Sequence, residues 1–167
     1  MNGVAQVDVQ GFIRDYVRGR KWTARFLRQF SEDDLSLEPG PGSMPLRDQI
    51  QQIRQSDSFL VSLLSDVTPN PALMKQTFDT SSLASCMAFL KEGMDAVTAA
   101  AQNAPVEMWL EEVEPFGPEW RATRGQLVYL MLDHETHHRG QITVYLRVAG
   151  KTPAVIWEPV PDSVFDL

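Results

Sequence analysis

The segment DHETHHRGQ, residues 133–141, contains all three histidines of the chain and lies inside its longest uninterrupted helical pattern. Each residue of an α-helix turns by about 100°, so His134 and His138 lie about 40° apart and one turn along the axis. Their imidazoles therefore point to one place, which is the geometry of a two-histidine metal clip. Apolar residues continue this face in both directions, so the pair is expected to face a core. They are Leu127, Leu130, Met131, Ile142, Tyr145, Val148 and Ala149.

Two imidazoles on an apolar face need polar partners, because an unsatisfied buried group costs roughly 1–3 kcal/mol. The first interpretation is a divalent metal held by His134 and His138, with at least one further ligand from another helix. The second is structural, with each histidine hydrogen-bonded to a facing polar side chain and no metal. The third is the zinc-protease pattern HExxH, with Glu135 as general base and Glu158 as a further ligand. The short chain and the proline-bounded tail around Glu158 argue against this third interpretation.

The other polar residues of the segment are assigned to the edge of the site. His137 lies about 60° to the side of His134, so it is expected at the rim. Gln141 shares the face of the pair and is predicted to orient an imidazole.

Gly140 costs about 1 kcal/mol relative to alanine inside a helix, which predicts the close approach of another backbone.

Length and composition restrict the class of protein. A chain of 167 residues with 43% hydrophobic content suffices for one domain, predicted over residues 1–167. The net charge of −7 argues against a nucleic-acid surface, and the basic residues between Arg14 and Arg28 are interpreted as a solvated helix face. The single cysteine, Cys86, is expected to be buried and inert, in a reducing compartment. Without a signal-peptide pattern or a membrane-spanning apolar run, the protein is predicted to be cytoplasmic.

Apolar periodicity predicts four long helices and no repeat or linker that would divide them. They cover Phe12 to Phe30, Pro45 to about Ser65, Thr80 or Ser81 to about Asn103, and a capping box at Thr123 and Gln126 to Val148 or Ala149. The connections between helices two and three and between helices three and four are long, whereas adjacent antiparallel helices usually need only about 2–8 residues. Helices two and three are therefore expected to be parallel neighbours.

The run HETHHRGQITVYLRVAGKTP, residues 134–153, preceded by RGQLVYLMLD, residues 124–133, resembles the last helix of the DinB-like family. That family is also grouped with YfiT-like metal-dependent hydrolases. Weaker markers fall in the same order, namely LSLEP at residues 35–39 before a glycine-rich loop and PLRD at residues 45–48 opening the second helix. The resemblance covers about residues 10–155.

The resemblance implies an all-α four-helix bundle in up-down-down-up order, often assembled as a homodimer. It also implies zinc or nickel bound by three histidines, two from the last helix and one from the second. His134 and His138 match the first two. The third position aligns with Gln52, where the sequence departs from the family, because an amide oxygen is a neutral and weak ligand for these metals. Gln49 and Ser56, each about a turn away, are the nearest alternatives.

The resemblance therefore predicts a divalent-metal-dependent enzyme acting on a small molecule, as a thiol-dependent transferase or as a hydrolase. A low-molecular-weight thiol is the expected cosubstrate of the transferase type, and no individual catalytic residue is indicated. The alternative is a metal-free, non-catalytic helical bundle with a binding or stress-related role. In that case Gln52 would hydrogen-bond the histidines.

Overall fold

Four long α-helices carry the fold of residues 7–167, the part of the chain that this computed structural model describes. They are α1 (Val9–Leu27), α2 (Leu46–Leu63), α3 (Leu83–Asn103) and α5 (Arg124–Val148), with the short α4 (Val106–Leu110) before α5. Two antiparallel strands of two residues each, β1 (Glu112–Val113) and β2 (Ala122–Thr123), close the loop between α4 and α5. Short 3-10 helices cover Glu32–Ser36, Pro71–Lys75, Pro118–Trp120 and Asp162–Phe165.

Side-chain caps set where the long helices begin. Asp8 accepts a hydrogen bond from the Gly11 amide at 2.7 Å, so α1 begins at Val9, before the predicted Phe12. The helix ends at Leu27, before the predicted Phe30. Ser82 caps α3, one residue beyond the predicted positions. The predicted capping box of Thr123 and Gln126 is present at the start of α5, because each side chain bonds the other's backbone.

Residues that come later in α2 contact residues that come earlier in α5. Ser56 of α2 faces His134 of α5, whereas Gln49, earlier in α2, faces Tyr145, later in α5. The two helices are therefore antiparallel. This pairing places the polar residues of α2 opposite the histidines of α5.

The contacts of α5 with α1 run in the same direction. Phe12 packs edge-on against Tyr129 with ring centroids 6.0 Å apart, and Arg20, two turns later, bonds Glu135.

Asp57 of α2 lies beside Gly93 of α3, and Leu64 and Ala100, each seven residues later, line a common cavity, so α2 and α3 run in the same direction. The long connection between them therefore returns the chain along the bundle, as predicted. The all-α four-helix bundle with up-down-down-up order is confirmed.

One cluster of buried apolar side chains runs through the bundle and includes Cys86 and Trp109. Burial raises the pKa of the Cys86 thiol to about 12, in keeping with an inert thiol. At Gly93 a Cβ would lie 2.0 Å from Asp57 Oδ2, so α3 approaches α2 closely there. Gly140 behaves differently, since it is exposed and a Cβ would meet nothing within 4 Å. The predicted close approach at Gly140 is therefore wrong, because this side of α5 faces away from the other helices.

Within residues 7–167, no helix combines the length and the apolar character needed to cross a membrane. The cytoplasmic location and the homodimer stay predictions.

Candidate functional site

His134 and His138 meet on the α2 side of α5, as their spacing predicts. The two Nε2 atoms are 3.1 Å apart, and the rings meet edge-on with centroids 4.4 Å apart. His138 is buried, with 6% of its surface exposed, and His134 is half-buried. The pair therefore lies at the edge of the core, with access from the solvent side.

A chain of hydrogen bonds fixes the tautomer of His138. Tyr145 donates its hydroxyl hydrogen to the Met44 carbonyl at 2.5 Å, so its oxygen is left to accept from the Gln49 amide nitrogen at 3.3 Å. Gln49 must then present its Oε1 to His138 Nδ1, 2.6 Å away. His138 consequently carries its proton on Nδ1, and its Nε2 presents a lone pair to His134.

Ser56 holds the other histidine and allows it two arrangements. Its Oγ lies 2.8 Å from His134 Nδ1 and 3.1 Å from the Gln52 carbonyl oxygen. When the hydroxyl donates to that carbonyl, it accepts from His134 Nδ1–H, and both Nε2 atoms of the pair carry lone pairs. When it donates to His134 Nδ1 instead, His134 Nε2–H can donate to His138 Nε2.

Both histidines are held in the neutral form that binds metals. Burial lowers the pKa of His138 to about 4; His134 and His137 lower it further, and Gln141 opposes them. Burial also lowers the pKa of His134, as does His137, against the opposing effect of Glu135. Near pH 7 no proton is expected to compete for the lone pair of His138.

Gln52 is half-buried on α2, one turn from Gln49 and one turn from Ser56. Its backbone carbonyl receives the Ser56 hydroxyl, whereas its side chain makes no hydrogen bond to any residue in the range 7–167. The two residues that bond the histidines are Gln49 and Ser56, the alternatives named from the sequence. Gln52 as a ligand stays a prediction.

His137 and Gln141 lie on either side of the pair. His137 is exposed, and its ring centroid is 5.3 Å from that of His138, which places it at the rim. Gln141 lies near His138, and its side chain raises the pKa of that histidine against the effect of burial. Gln49 makes the bond to His138 Nδ1, and Gln141 as a further orienting residue stays a prediction. Across residues 7–167, no three His, Cys, Asp or Glu side chains converge as a metal site.

The zinc-protease interpretation is wrong, because both of its carboxylates are committed elsewhere. Glu135 is buried, and both of its oxygens accept hydrogen bonds from Arg20 of α1, at 3.1 and 3.2 Å. Glu158 bonds Arg25 at the surface, with Nη2 and Oε2 2.5 Å apart. Neither carboxylate is therefore free to serve as a general base or as a metal ligand beside the histidines.

Arg20 organises a buried charge cluster that the sequence interpretation missed. Its guanidinium donates to both oxygens of Asp57 at 2.7 and 2.8 Å, to both oxygens of Glu135, and to the Leu90 carbonyl at 3.1 Å. Tyr16 donates to Asp57 at 2.6 Å, and burial raises the pKa of Asp57 against the opposing effect of Arg20. Arg20 is fully buried, so the basic residues of α1 are not all part of a solvated face. The burial of Arg20 could have been predicted from its position, because its spacing from Tyr16 and Thr23 places it on the apolar stripe of α1.

The sequence profile of the DinB family matches residues 6–160, nearly the whole chain. The chain belongs to the DinB family. Among curated proteins, this DinB-family chain is 22% identical over 140 residues to the uncharacterized protein YjoA of Bacillus subtilis (strain 168), covering 84% of this chain and 90% of YjoA.

Solved structures of DinB-like proteins share the fold. YjoA of Bacillus subtilis and a DinB-like protein of Bacillus cereus ATCC 10987 each superpose with a TM-score of 0.71 at 22% identity, covering 87% of this chain and 95% of theirs. YfiT of Bacillus subtilis superposes with a TM-score of 0.69 at 14% identity, covering 91% and 93%. YfiT is described as a probable metal-dependent hydrolase with an unusual four-helix bundle topology.

Proposed function

We propose that this DinB-family protein is a divalent-metal-dependent enzyme in which His134 and His138 bind zinc or nickel. The observation that carries the proposal is the pair of Nε2 atoms 3.1 Å apart, with both Nδ1 atoms engaged by α2. In the arrangement in which His134 is protonated on Nδ1, both Nε2 atoms carry lone pairs, and these repel unless a cation is bound by both. The description of YfiT as a probable metal-dependent hydrolase supports the same class of activity.

The donor atoms fit an open site rather than a closed one. Two imidazole nitrogens bound to one ion at about 2.0–2.1 Å lie roughly 2.9–3.4 Å apart when they subtend angles from about 90° to the tetrahedral value. The observed 3.1 Å lies in that range. We propose Gln52 as a weak third ligand, which leaves at least one position for substrate or water.

The proposed reaction transfers a low-molecular-weight thiol to a small molecule or hydrolyses that molecule. A bound divalent ion would supply Lewis acidity and favour the ionised form of the thiol or water. The chain's own contribution is to keep both imidazoles neutral and oriented through Gln49 and Ser56. It also provides a cavity of about 330 Å³ beside Gln49 in which a small molecule can bind.

Tyr145→Phe is expected to weaken zinc or nickel binding by about 10–100-fold, the usual effect of losing a group that orients a ligating histidine. The hydroxyl of Tyr145 fixes the amide of Gln49, which in turn fixes His138. Calorimetric titration of metal into both proteins measures the change. Tyr129→Phe is the matched control, because Tyr129 is 45% exposed on the same helix. Equal affinities for Tyr145→Phe and the unaltered protein would contradict the role of this relay.

The rival proposal is a metal-free binding protein, which the absence of a third imidazole or carboxylate among the described residues favours. His134 Nε2–H would then donate to His138 Nε2 across the 3.1 Å contact. The two proposals differ in thermal unfolding. Zinc at about a hundred times its dissociation constant stabilises a true site by about 2.7 kcal/mol, so the melting temperature should rise. We expect that rise in the unaltered protein and none in His138→Ala; no rise in either favours the rival.

A further inference from the structure

All four long helices meet at one buried side chain, the guanidinium of Arg20 on α1. Two of its bonds go to the carboxylate of Asp57 on α2, at 2.7 and 2.8 Å, and two go to that of Glu135 on α5, at 3.1 and 3.2 Å. A further N–H donates to the Leu90 carbonyl of α3 at 3.1 Å. The five N–H groups of a guanidinium form a rigid planar fork, so Arg20 bridges α2 and α5 with a fixed geometry.

This bridge lies one residue away from the contact that holds His134. On α2, Asp57 directly follows Ser56. On α5, Glu135 directly follows His134, whose Nδ1 lies 2.8 Å from Ser56 Oγ. Neighbouring residues of a helix are about 1.5 Å apart along its axis, so the bridge and the histidine contact join α2 and α5 at the same level. A slide of one helix that separated Ser56 from His134 would also break bonds to Arg20.

Stability alone does not account for a buried ionic bridge. Taking three ions out of water is costly, and well-packed apolar side chains of similar size often stabilise a core equally well. The ions add direction, because apolar contacts tolerate a slide of one helix along another, whereas short charge-assisted hydrogen bonds do not. The bridge is therefore suited to fixing the position of α2 along α5, on which the partner of His134 depends.

Other polar contacts between α2 and α5 lie farther from His134 or hold the other histidine. Arg124 donates to carbonyl groups at the end of α2. It precedes His134 by ten residues, or about 15 Å along the helix axis. Gln49 bonds His138 Nδ1 at 2.6 Å. The bridge at Arg20 is thus expected to matter more for His134 than for His138.

We infer that Arg20 is a positioning residue for His134. By holding Asp57 and Glu135, it keeps Ser56 within hydrogen-bonding distance of the imidazole. This effect on the imidazole does not depend on a bound metal. Its importance for metal binding rests on the proposed function, in which His134 is a ligand.

Arg20→Lys tests the bridge itself. Lysine keeps the positive charge but carries its three N–H donors on one nitrogen, so it cannot form parallel pairs of bonds with both carboxylates. Asp57→Asn is a milder second variant, which keeps the shape of the side chain, weakens the bridge on α2 alone, and decides the test if Arg20→Lys does not fold. Met87→Ala is the matched control, because Met87 is buried on α3 and its truncation removes packing but no bond of the bridge.

Long-range proton–nitrogen NMR spectra of the chelator-treated proteins near pH 7 report on the ring nitrogens of each histidine. We expect the His134 signals to move in both variants of the bridge and to stay in place in Met87→Ala. The His138 signals should move less, because Gln49 still holds that ring. Unmoved His134 signals in both variants of the bridge, or equal movement in the control, would overturn the inference.

Zinc titration of the same proteins separates this inference from the proposed function. Zinc should bind at least about tenfold more weakly to Arg20→Lys than to the unaltered protein or to Met87→Ala, the lower end of the effect of losing a group that supports a ligating histidine. If the His134 signals move as expected but the unaltered protein binds no zinc, the proposed function alone is overturned. If the signals stay in place and the zinc affinities are equal, the positioning role alone is overturned.

Discussion

Arg20→Met is expected to destabilise the protein by about 3–5 kcal/mol, because it leaves a buried ionic cluster without its cation. Asp57 and Glu135 are almost fully buried, and both bond the guanidinium that the substitution removes. Methionine retains apolar packing, so the loss reports mainly on the unpaired carboxylates. Urea denaturation near pH 7 measures the change in the free energy of unfolding.

The matched control is Arg18→Met on the same helix. Arg18 pairs with Asp15 at the surface, with 57% and 48% of the two side chains exposed, so its loss should change stability by less than about 1 kcal/mol. Without Arg20, burial raises the folded-state pKa of Asp57 further above its unfolded value, because the opposing effect of the guanidinium is lost. The variant should therefore recover part of its stability as the pH is lowered. Equal effects of the two substitutions would contradict the importance of the buried cluster.

Gln52→His is expected to raise the affinity for zinc by about a hundredfold, or roughly 2.8 kcal/mol. It replaces a weak amide oxygen by an imidazole at the position on α2 that aligns with the third histidine of the family. Gln52 lies one turn from Gln49 and one turn from Ser56, the residues that bond the pair, so a histidine there points toward the same site. Competition with a chromophoric zinc chelator measures the affinity.

Gln102→His provides the control for an added histidine away from the pair, because Gln102 is exposed on α3. That variant should bind zinc as the unaltered protein does. A Gln52→His protein that folds normally and gains no affinity would show that position 52 does not reach the metal. The same substitution with His138→Ala should lose the gain, because both imidazoles would be required.

The helical architecture could be predicted because local signals agree with it. The capping box at Thr123 and the stop at Gly150, where φ is +74°, bound the last helix correctly. The long connection between helices two and three indicated that these two helices run in parallel. The i, i+4 spacing of His134 and His138 brought their rings together without knowledge of any other helix.

The partners of the histidines could not be ranked from sequence alone. Gln49, Gln52 and Ser56 lie within one stripe of α2, and spacing does not decide which of them meets α5. The outcome depends on how far α2 slides along α5, which the tertiary packing sets. Tyr145 was identified only as an apolar residue, although its hydroxyl orients Gln49 through a contact with the Met44 carbonyl.

The buried position of Arg20 was missed because a charged residue in a basic segment is ordinarily solvated. Its burial depends on Asp57 and Glu135, which come from two other helices and are distant in sequence. The sequence of α1 alone does not show that α1, α2 and α5 come together at this residue. Gly140 shows the opposite error, because a glycine in an apolar helix suggested contact where the structure has none.

The central claim is that His134 and His138 hold a divalent metal, and metal content tests it most directly. The protein is purified without chelator, and bound zinc and nickel are measured by mass spectrometry beside His138→Ala, with circular dichroism to verify that both are folded. We predict close to one equivalent of zinc or nickel in the unaltered protein and close to none in the variant. Metal content near zero in the unaltered protein, or equal content in both, would contradict the claim.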